Sequence, residues 1–282
     1  MNFRTTEENI FKILMFISLI AVMGSLIGIM AVVLIKGGAA LSIGMVTTPP
    51  ESGYYLGGEG GILNAIVGSV YLASGATVLA FFISIAIAIY LQREFTSSKA
   101  AGIIRTSLDM LWGIPSIVYG VFCFIVMMYL GIGTCLLAGI IALTMIEIPI
   151  MTRGMDEAIK MVPPELKEST YVLGSNRIET AIKVVLRQGL PGITSAVLLA
   201  FGRGIGDAAS ILFTAGFSDH IPASLFDSAA ALPTMIFFLS ALPSPEVRDR
   251  AYAAAFILLS IVLLISLASR LLTNKFSRYI IK

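Results

Sequence analysis

The chain has 282 residues, of which 57% are hydrophobic and 13% are charged, whereas an ordinary globular protein has about 25% charged residues. With a mean hydropathy of +0.93, a water-soluble fold could not bury this much apolar surface, so the composition excludes a soluble protein and indicates several membrane spans. The net charge of +2 is too small to indicate a nucleic-acid-binding protein.

Six apolar segments are long enough to cross a bilayer as helices, since a crossing takes about 20 residues. They cover residues 10–35, 63–91, 107–130, 134–152, 190–216 and 252–273. The first exceeds the apolar part of a signal peptide, which has about 7–15 residues, and Glu7 and Glu8 oppose the basic start of such a peptide. We therefore expect it to remain as an anchor. The Gly- and Pro-rich stretch 36–62 after it predicts an external loop.

The basic residues predict six spans with both termini in the cytoplasm. In this orientation most of the 19 Lys and Arg residues lie on the cytoplasmic side, and only Lys36, Arg248 and Arg250 lie outside. A further apolar stretch, 229–242, is short for a crossing and predicts a re-entrant or interfacial segment. Counting it as a seventh span would place the basic C-terminus outside, against the positive-inside rule.

Two polar residues in the third and fourth spans are candidate site residues. Ser116 follows Pro115, and because proline-broken membrane helices tend to line cavities, its hydroxyl could face a substrate pathway. Glu147 is an intramembrane carboxylate that could balance Arg203, balance a charge on a partner or face a water-filled cavity. A direct contact between Glu147 and an anionic substrate is not expected, because the two would repel each other.

The cytoplasmic stretch 153–189 is long for a loop between membrane helices and predicts two short amphipathic helices. Pro163 and Pro164 are typical of a helix start. One face of this first helix carries Leu166, Thr170 and Leu173. Gly174 is typical of the residue that follows a helix end.

The second helix of this stretch begins with the spacing of a capping box, Asn176 and Glu179. Its apolar stripe consists of Ile178, Ile182 and Val185. We expect Gly189 and Pro191 to end the helix before the next span. Such a helix pair could dock a cytoplasmic partner or lie on the lipid surface, and the spacing alone leaves both readings open.

Arg203 is the strongest candidate for a substrate contact. An Arg at the centre of a spanning helix costs about 2.5–3.5 kcal/mol, which makes an intramembrane ion a functional-site hypothesis. Its guanidinium stays charged and can bind a tetrahedral oxyanion through two N–H donors, and Gly204 and Gly206 would let the backbone approach closely. The structural alternative is an ion pair with Asp207, one helical turn further on.

No metal site is expected in the chain. The single histidine, His220, lies in the predicted external segment 217–250 without a second His or Cys nearby.

The helix–Gly–helix stretch resembles the EAA loop of ABC-importer permeases, which reads Glu-Ala-Ala, three residues, Gly, nine residues, Ile, one residue, Leu-Pro. Here it stands as Glu168-Ser169-Thr170, then Gly174, then Val184-Val185-Leu186-Arg187. Both spacings hold. Ser and Thr replace the two alanines, Val replaces Ile, and Arg187 replaces the proline.

Other stretches resemble the phosphate-specific permeases of the PstA type, in the order of that family. They are Gly60–Gly68 at the start of the second span, Gly113–Gly120 against Gly-Val-Pro-Ser-Ile-Val-Tyr-Gly, Arg153 to Pro163 before the EAA loop, and Gly202–Ala215 against Ala-Arg-Ala-Ile-Gly-Glu-Thr-Ala-Pro-Leu-Leu-Phe-Thr-Ala. Asp207 stands where the family has Glu, and Ala208 and Ser210 where Thr and Pro are usual.

The resemblance implies the six-span fold of a type I ABC importer permease in the inner or plasma membrane of a prokaryote. It implies a PstC-type permease partner, two PstB-type ATPase subunits and an extracytoplasmic PstS-type protein that delivers inorganic phosphate. The chain contains no Gly-Lys dipeptide and hence no Walker A motif, so we expect no catalytic residues and no cofactor of its own, with ATP and Mg²⁺ held by the ATPase subunits.

The resemblance also implies roles for individual residues. Glu168, Ser169, Thr170 and Gly174 would couple to the ATPase, and the pathway would run near Arg203. Three alternatives stay open: a permease for another oxyanion such as sulfate, molybdate or phosphonate, an ion-coupled transporter that works alone, and a membrane anchor or sensor without transport.

Overall fold

The computed structural model describes residues 3–51 and 59–277, and in these ranges the regular structure is helical apart from one isolated antiparallel bridge, Pro50 to Gly60. The α-helices are α1 (Phe3–Val32), α2 (Gly38–Ala40), α3 (Ile43–Thr47), α4 (Leu63–Tyr90), α5 (Ser98–Trp112), α6 (Ser116–Tyr129), α7 (Leu136–Lys160), α8 (Pro164–Val172), α9 (Arg177–Thr180), α10 (Leu186–Ile205), α11 (Leu232–Ser240) and α12 (Pro245–Ser277). Turns of π-helix at Val33–Gly37 and Ala181–Val185 join α1 to α2 and α9 to α10 without a break.

The described part of the chain contains five helices long and apolar enough to cross a membrane, or six if the bent pair α5 and α6 counts as one crossing. This confirms the predicted all-α membrane fold, while six crossings and the orientation of the termini stay predictions. The expected external loop 36–62 is partly wrong, because the first helix continues to Ala40 and α3 follows it. Residues 52–58 of that loop lie outside the described residues.

The segment 107–130, predicted as one span, is two helices that meet at an angle of 93°. The break lies at Gly113–Pro115, since the residue before a proline avoids helical geometry. Across the bend, the Tyr119 hydroxyl donates a hydrogen bond to the Leu111 carbonyl at 2.8 Å. With 14 residues, α6 is about 21 Å long, too short to cross the ~30 Å hydrocarbon layer unaided.

The span predicted over 190–216 begins and ends earlier in the chain than expected. A continuous helix of 29 residues runs from Arg177 to Ile205, so the second amphipathic helix is the start of this span and not a separate element. Gly189 and Pro191 lie inside it. The wide π-turn at Ala181–Val185 lies about one and a half helical turns before Pro191, and a proline inside a helix removes one backbone donor and pushes against the preceding turn.

The centre of the bundle is α7, which is largely buried and packs against α4 and α10. The buried face of α4 is made mainly of small side chains: Ala65, Gly68, Ser69, Ala73, Ala76, Thr77, Ala80, Ser84 and Ala88. Small residues let membrane helices approach closely, so dispersion contacts and interhelical hydrogen bonds hold them together.

After α10 the backbone is not helical until α11 begins at Leu232. This return segment, residues 206–231, is held by hydrogen bonds to the bundle: the backbone N–H of Cys135 donates to the Thr214 carbonyl at 2.9 Å, and Ser69 Oγ accepts from the Leu232 N–H at 2.7 Å. Non-helical backbone at membrane depth is stable only when protein or a water-filled cavity surrounds it. The stretch predicted as re-entrant or interfacial, 229–242, contains α11, which packs against α12.

The first helix stands apart from this bundle. Its C-terminal end packs on α12, where Gly37 meets the backbone of Tyr252 and the side chain of Phe256. The apolar side chains of its earlier turns are exposed on the surface of the chain, as expected for a helix surrounded by lipid or by another subunit.

Candidate substrate pathway and coupling element

The end of α10 lies beside the middle of α7. Gly204 packs directly against the side chain of Glu147 on α7, and Glu147 lies about 16 Å along α7 from Leu136 at about 1.5 Å per residue. With 25 residues, α7 is one of the helices long and apolar enough to cross a membrane. The helix α10 therefore ends, and the return segment begins, beside the middle of a candidate membrane-spanning helix.

Arg203 and Asp207 form an ion pair at this helix end. Arg203 Nη1 donates to Asp207 Oδ1 at 2.9 Å, and Asp207 Oδ2 accepts from the backbone N–H of Ser210 at 3.0 Å. The Asp207 side chain is 4% exposed and that of Arg203 is 48% exposed. Asp207 thus fixes the chain reversal and holds one end of the Arg203 guanidinium, while nearly half of the Arg203 side-chain surface is exposed on this chain.

Glu147 does not pair with Arg203 in this structure. Its Oε2 accepts a hydrogen bond from Thr77 Oγ1 on α4 at 2.9 Å, its side chain is fully buried, and its Oε1 has no hydrogen-bond partner among the described residues. The carboxyl group fills the space that a side chain at position 204 would need. Glu147 therefore joins three helices, α4, α7 and α10, beside the break.

Ser116 is the first residue of α6, directly after the bend at Pro115. One turn further, Gly120 packs against the carbonyls of Ala209 and Ser210, in the return segment. The start of α6 is therefore brought to the same region as Asp207. Gly206 forms the exposed end of α10.

The coupling element, α8 with the turn at 173–176 and α9, lies at the opposite end of the same long helix. Gly174 has φ +86°, a left-handed conformation that favours glycine. Asn176 Oδ1 accepts from the Glu179 N–H at 2.9 Å, and the Asn176 N–H donates to Glu179 Oε2 at 3.2 Å, so the predicted capping box is confirmed.

The EAA-like residues occupy the body of α8. Glu168 is exposed, and Ser169 Oγ donates to the Glu165 carbonyl at 2.7 Å. Thr170 Oγ1 donates to the Lys167 carbonyl at 2.7 Å and lies 3.2 Å from Thr180 Oγ1 of α9. The two threonines bring α8 against α9 across the Gly174 turn.

Large apolar side chains on this element and directly beside it are exposed. Val172, Leu173 and Ile178 belong to the element, and Met161 and Ile182 flank it; each is more than half exposed. Of the predicted stripe Leu166, Thr170 and Leu173, Leu166 packs partly against the main core, whereas Leu173 is 83% exposed. A cluster of exposed apolar residues beside charged ones is typical of a surface that another protein covers.

One helix connects this surface to the break. At about 1.5 Å per residue, the helix from Arg177 to Ile205 is about 43 Å long. The coupling element and Arg203 are therefore connected by one continuous helix. Within the described residues, no group of three His, Cys, Asp or Glu side chains is placed to hold a metal ion.

Known protein sequences match most of this chain. The profile of the family described as binding-protein-dependent transport system inner membrane component matches residues 84–281. The phosphate transport system permease protein PstA 2 of Mycobacterium bovis is 34% identical over 219 residues, 77% of this chain and 72% of the relative. PstA of Xylella fastidiosa is 32% identical over 233 residues, 82% and 79% of the two chains. The probable ABC transporter permease protein YqgI of Bacillus subtilis is 29% identical over 260 residues, 87% of each.

Solved structures share the fold at low identity. A bacterial alginate ABC transporter, in complex with an alginate-bound periplasmic protein, matches with a TM-score of 0.65, 15% identity and 96% coverage of each chain. The inward-facing MetNI methionine ABC transporter matches with a TM-score of 0.58 and 19% identity over 76% of this chain and 97% of that chain.

Proposed function

Because this chain belongs to the family of binding-protein-dependent transport system inner membrane components and is a PstA-type ABC permease, we propose that it forms part of the route by which an ATP-driven importer moves inorganic phosphate. As a permease subunit it is non-catalytic, and it works in an importer complex with ATPase and substrate-binding partners. The type I importer fold that the sequence resemblance implied is confirmed by the solved relatives.

The observation that carries the phosphate proposal is the half-exposed side chain of Arg203 at a helix break beside the middle of α7. Asp207 takes one Nη1 donor of Arg203, and a guanidinium has five N–H donors, so the pair leaves donors for an oxyanion. Broken helices beside a charged residue are typical of transport sites, because free backbone groups and charge meet there without lipid contact. Gly206, the exposed residue at the end of α10, adds no side chain of its own at the break.

The partners of the proposed importer are those that the likeness to PstA permeases suggests. We assign the exposed apolar surface of the coupling element to PstB-type ATPase subunits, which hold ATP and Mg²⁺. A PstC-type permease would form the other wall of the pathway, and a PstS-type protein would deliver phosphate from outside the inner membrane of a prokaryote.

The proposed cycle is alternating access. ATP binding closes the ATPase dimer, the coupling element moves with it, and α9–α10 carries the displacement to Arg203. The pathway then opens outward to the binding protein. After hydrolysis the helices return, and phosphate leaves Arg203 for the cytoplasm.

The test is uptake of labelled phosphate into proteoliposomes that contain the complete importer. We expect Arg203→Gln to lower uptake at least about tenfold, the equivalent of ~1.4 kcal/mol of lost anion binding, and Arg203→Lys to retain part of it, because a lysine keeps the charge without the planar fork. Unchanged uptake by an assembled Arg203→Gln complex would overturn the role of Arg203. Stronger competition by sulfate, molybdate or a phosphonate than by unlabelled phosphate would overturn the choice of cargo.

A further inference from the structure

The loop between α4 and α5 is attached to both halves of the coupling element through one residue, Glu94. Its Oε1 accepts an ion-pair hydrogen bond from Lys167 Nζ on α8 at 3.1 Å. Its backbone carbonyl accepts from Arg177 Nη1, at the start of α9, at 2.9 Å. The loop follows the end of α4 directly, so Glu94 links the coupling element to a second membrane helix beside α10.

The pair is shielded from water more than other ion pairs of the element. The side chains of Lys167 and Glu94 are 16% and 23% exposed, whereas those of Lys183 and Glu179, 3.5 Å apart on the outer face, are 73% and 45% exposed. Salt and water screen a partly buried pair less than an exposed one. The ion pair between Glu94 and Lys167 is therefore screened less than the pair between Lys183 and Glu179, and fixes the distance between its two elements more firmly.

Apart from the contact between Thr170 and Thr180, α8 packs only weakly on the rest of the chain. None of its residues is buried, and only Leu166 packs partly against the main core. A cavity of about 520 Å³ lies between α8, the loop and the cytoplasmic end of α7, lined by Arg93, Arg105 and Lys160 among others. Because the space is open, apolar packing cannot transmit a displacement across it. The contacts of Glu94 connect α8 to the loop at the edge of the cavity.

Beneath the cavity is a rigid charged support. Asp156 on α7 is fully buried, and it accepts hydrogen bonds from Arg105 Nε at 2.8 Å and from Lys160 Nζ at 2.9 Å. Gln92, two residues before Glu94, points to the same carboxylate at 3.4 Å. The loop that carries Glu94 is therefore anchored on its membrane side, and can transmit a displacement received from α8.

We propose that Glu94 is a positioning residue that fastens the coupling element to α4 and gives the movement of the ATPase a second route into the membrane. The proposal rests on the proposed function of the coupling element. The route ends at the same place as the first, because Thr77 of α4 holds Glu147 against Gly204. One route runs through α9 and α10 and the other through Glu94 and α4, and they meet at the contact between Glu147 and Gly204. Movement along both routes would shift α4 and α10 together and preserve the helix break at Gly206 during the cycle.

The first test measures transport per ATP in the reconstituted importer. Glu94→Gln and Lys167→Gln should each lower the phosphate moved per ATP hydrolysed about fivefold, equivalent to ~1 kcal/mol of lost coupling, while ATP hydrolysis stays within about twofold of wild type. The charge-swapped double variant, Glu94→Lys with Lys167→Glu, should restore at least half of the coupling. Lys12→Gln, which breaks the exposed pair with Glu8 on α1, is the matched control and should change nothing.

The second test does not depend on the cargo. Spin labels on Arg93→Cys and Glu165→Cys, in a background of Cys123→Ser and Cys135→Ser, report the distance between loop and α8 in the full complex. The distance should stay the same with and without ATP in the parent protein, and spread to several values when Lys167→Gln is added. An unchanged distribution in that variant, or failure of the charge swap to restore coupling, would overturn the proposal. A complex that moves no phosphate but shows the expected spread would refute the cargo and leave the Glu94 contact standing.

Discussion

The junction of Glu147 and Gly204 allows the most quantitative prediction. An ideal Cβ on Gly204 would lie closer to Glu147 Oε1 than the sum of their van der Waals radii allows, and 3.2 Å from the Glu147 Cδ. The carboxylate ends a flexible side chain, but it is fully buried and its other oxygen is bonded to Thr77. Gly204→Ala must therefore either break that bond or shift α10 away from α7, and overpacking of this kind costs about 1–3 kcal/mol.

The assay is thermal unfolding of the purified importer, read beside phosphate uptake. At about 2–4 °C per kcal/mol for a chain of this size class, Gly204→Ala should lower the melting midpoint by several degrees and reduce uptake. Gly202→Ala is the matched control, because a Cβ there meets only Ile265 at an ordinary 4.0 Å. Shortening the acid in the double variant Gly204→Ala with Glu147→Asp makes room for the methyl group and should restore much of the midpoint.

Equal melting midpoints of Gly204→Ala and Gly202→Ala would refute the predicted clash between a side chain at position 204 and Glu147. It is also refuted if the Glu147→Asp change adds its full separate cost to that of Gly204→Ala, because residues in contact should not behave additively.

Three further substitutions test the rest of the fold. Gly174→Ala forces a left-handed alanine and should cost about 1–2 kcal/mol, which should weaken retention of the ATPase subunits in pull-down; full retention would contradict it. Asp156→Asn leaves the partly buried Arg105 without its carboxylate and should lower the melting midpoint more than Tyr119→Phe does. Tyr119→Phe removes the hydrogen bond to Leu111 across the bend and should cost about 1 kcal/mol, seen as a smaller fall in the same midpoint; an equal or larger fall would refute this ranking.

Apolar length and charge distribution predicted the all-helical membrane fold, but not where helices bend. The run 107–130 is uniformly apolar, so composition cannot separate a straight span from two helices at 93°. Pro115 was the local signal for the break. In 190–216 the sequence stays apolar past Ile205, and the helix ends there because Gly206 and Asp207 favour a turn that the Ser210 N–H closes.

The candidate site was predicted residue by residue and only partly as an arrangement. The i, i+4 spacing of Arg203 and Asp207 is local, so their pairing was one of the two readings available from the sequence. The contact between Glu147 and Thr77 joins residues 70 positions apart, and no periodic pattern reports such a contact. Its only sequence signal was an acid with no basic residue nearby on its own helix.

In the coupling element too, local features were predictable from the sequence and long-range contacts were not. Its caps follow from local chemistry, so Gly174 and the Asn176 capping box were predictable. Glu94 was not singled out, because its partners lie on other elements, 73 and 83 residues away. The stripe of Leu166, Thr170 and Leu173 was predicted, but a periodic stripe does not tell whether the chain itself or a partner will cover each residue.

The central claim is that the exposed apolar surface of the coupling element docks a separate ATPase whose movement reaches Arg203. The direct measurement is site-specific photo-crosslinking from Val172 in intact membranes, with and without ATP. The claim predicts one major adduct with an ATPase subunit, whose yield changes with nucleotide. Adducts with lipid alone, and none with any ATPase subunit, would contradict it.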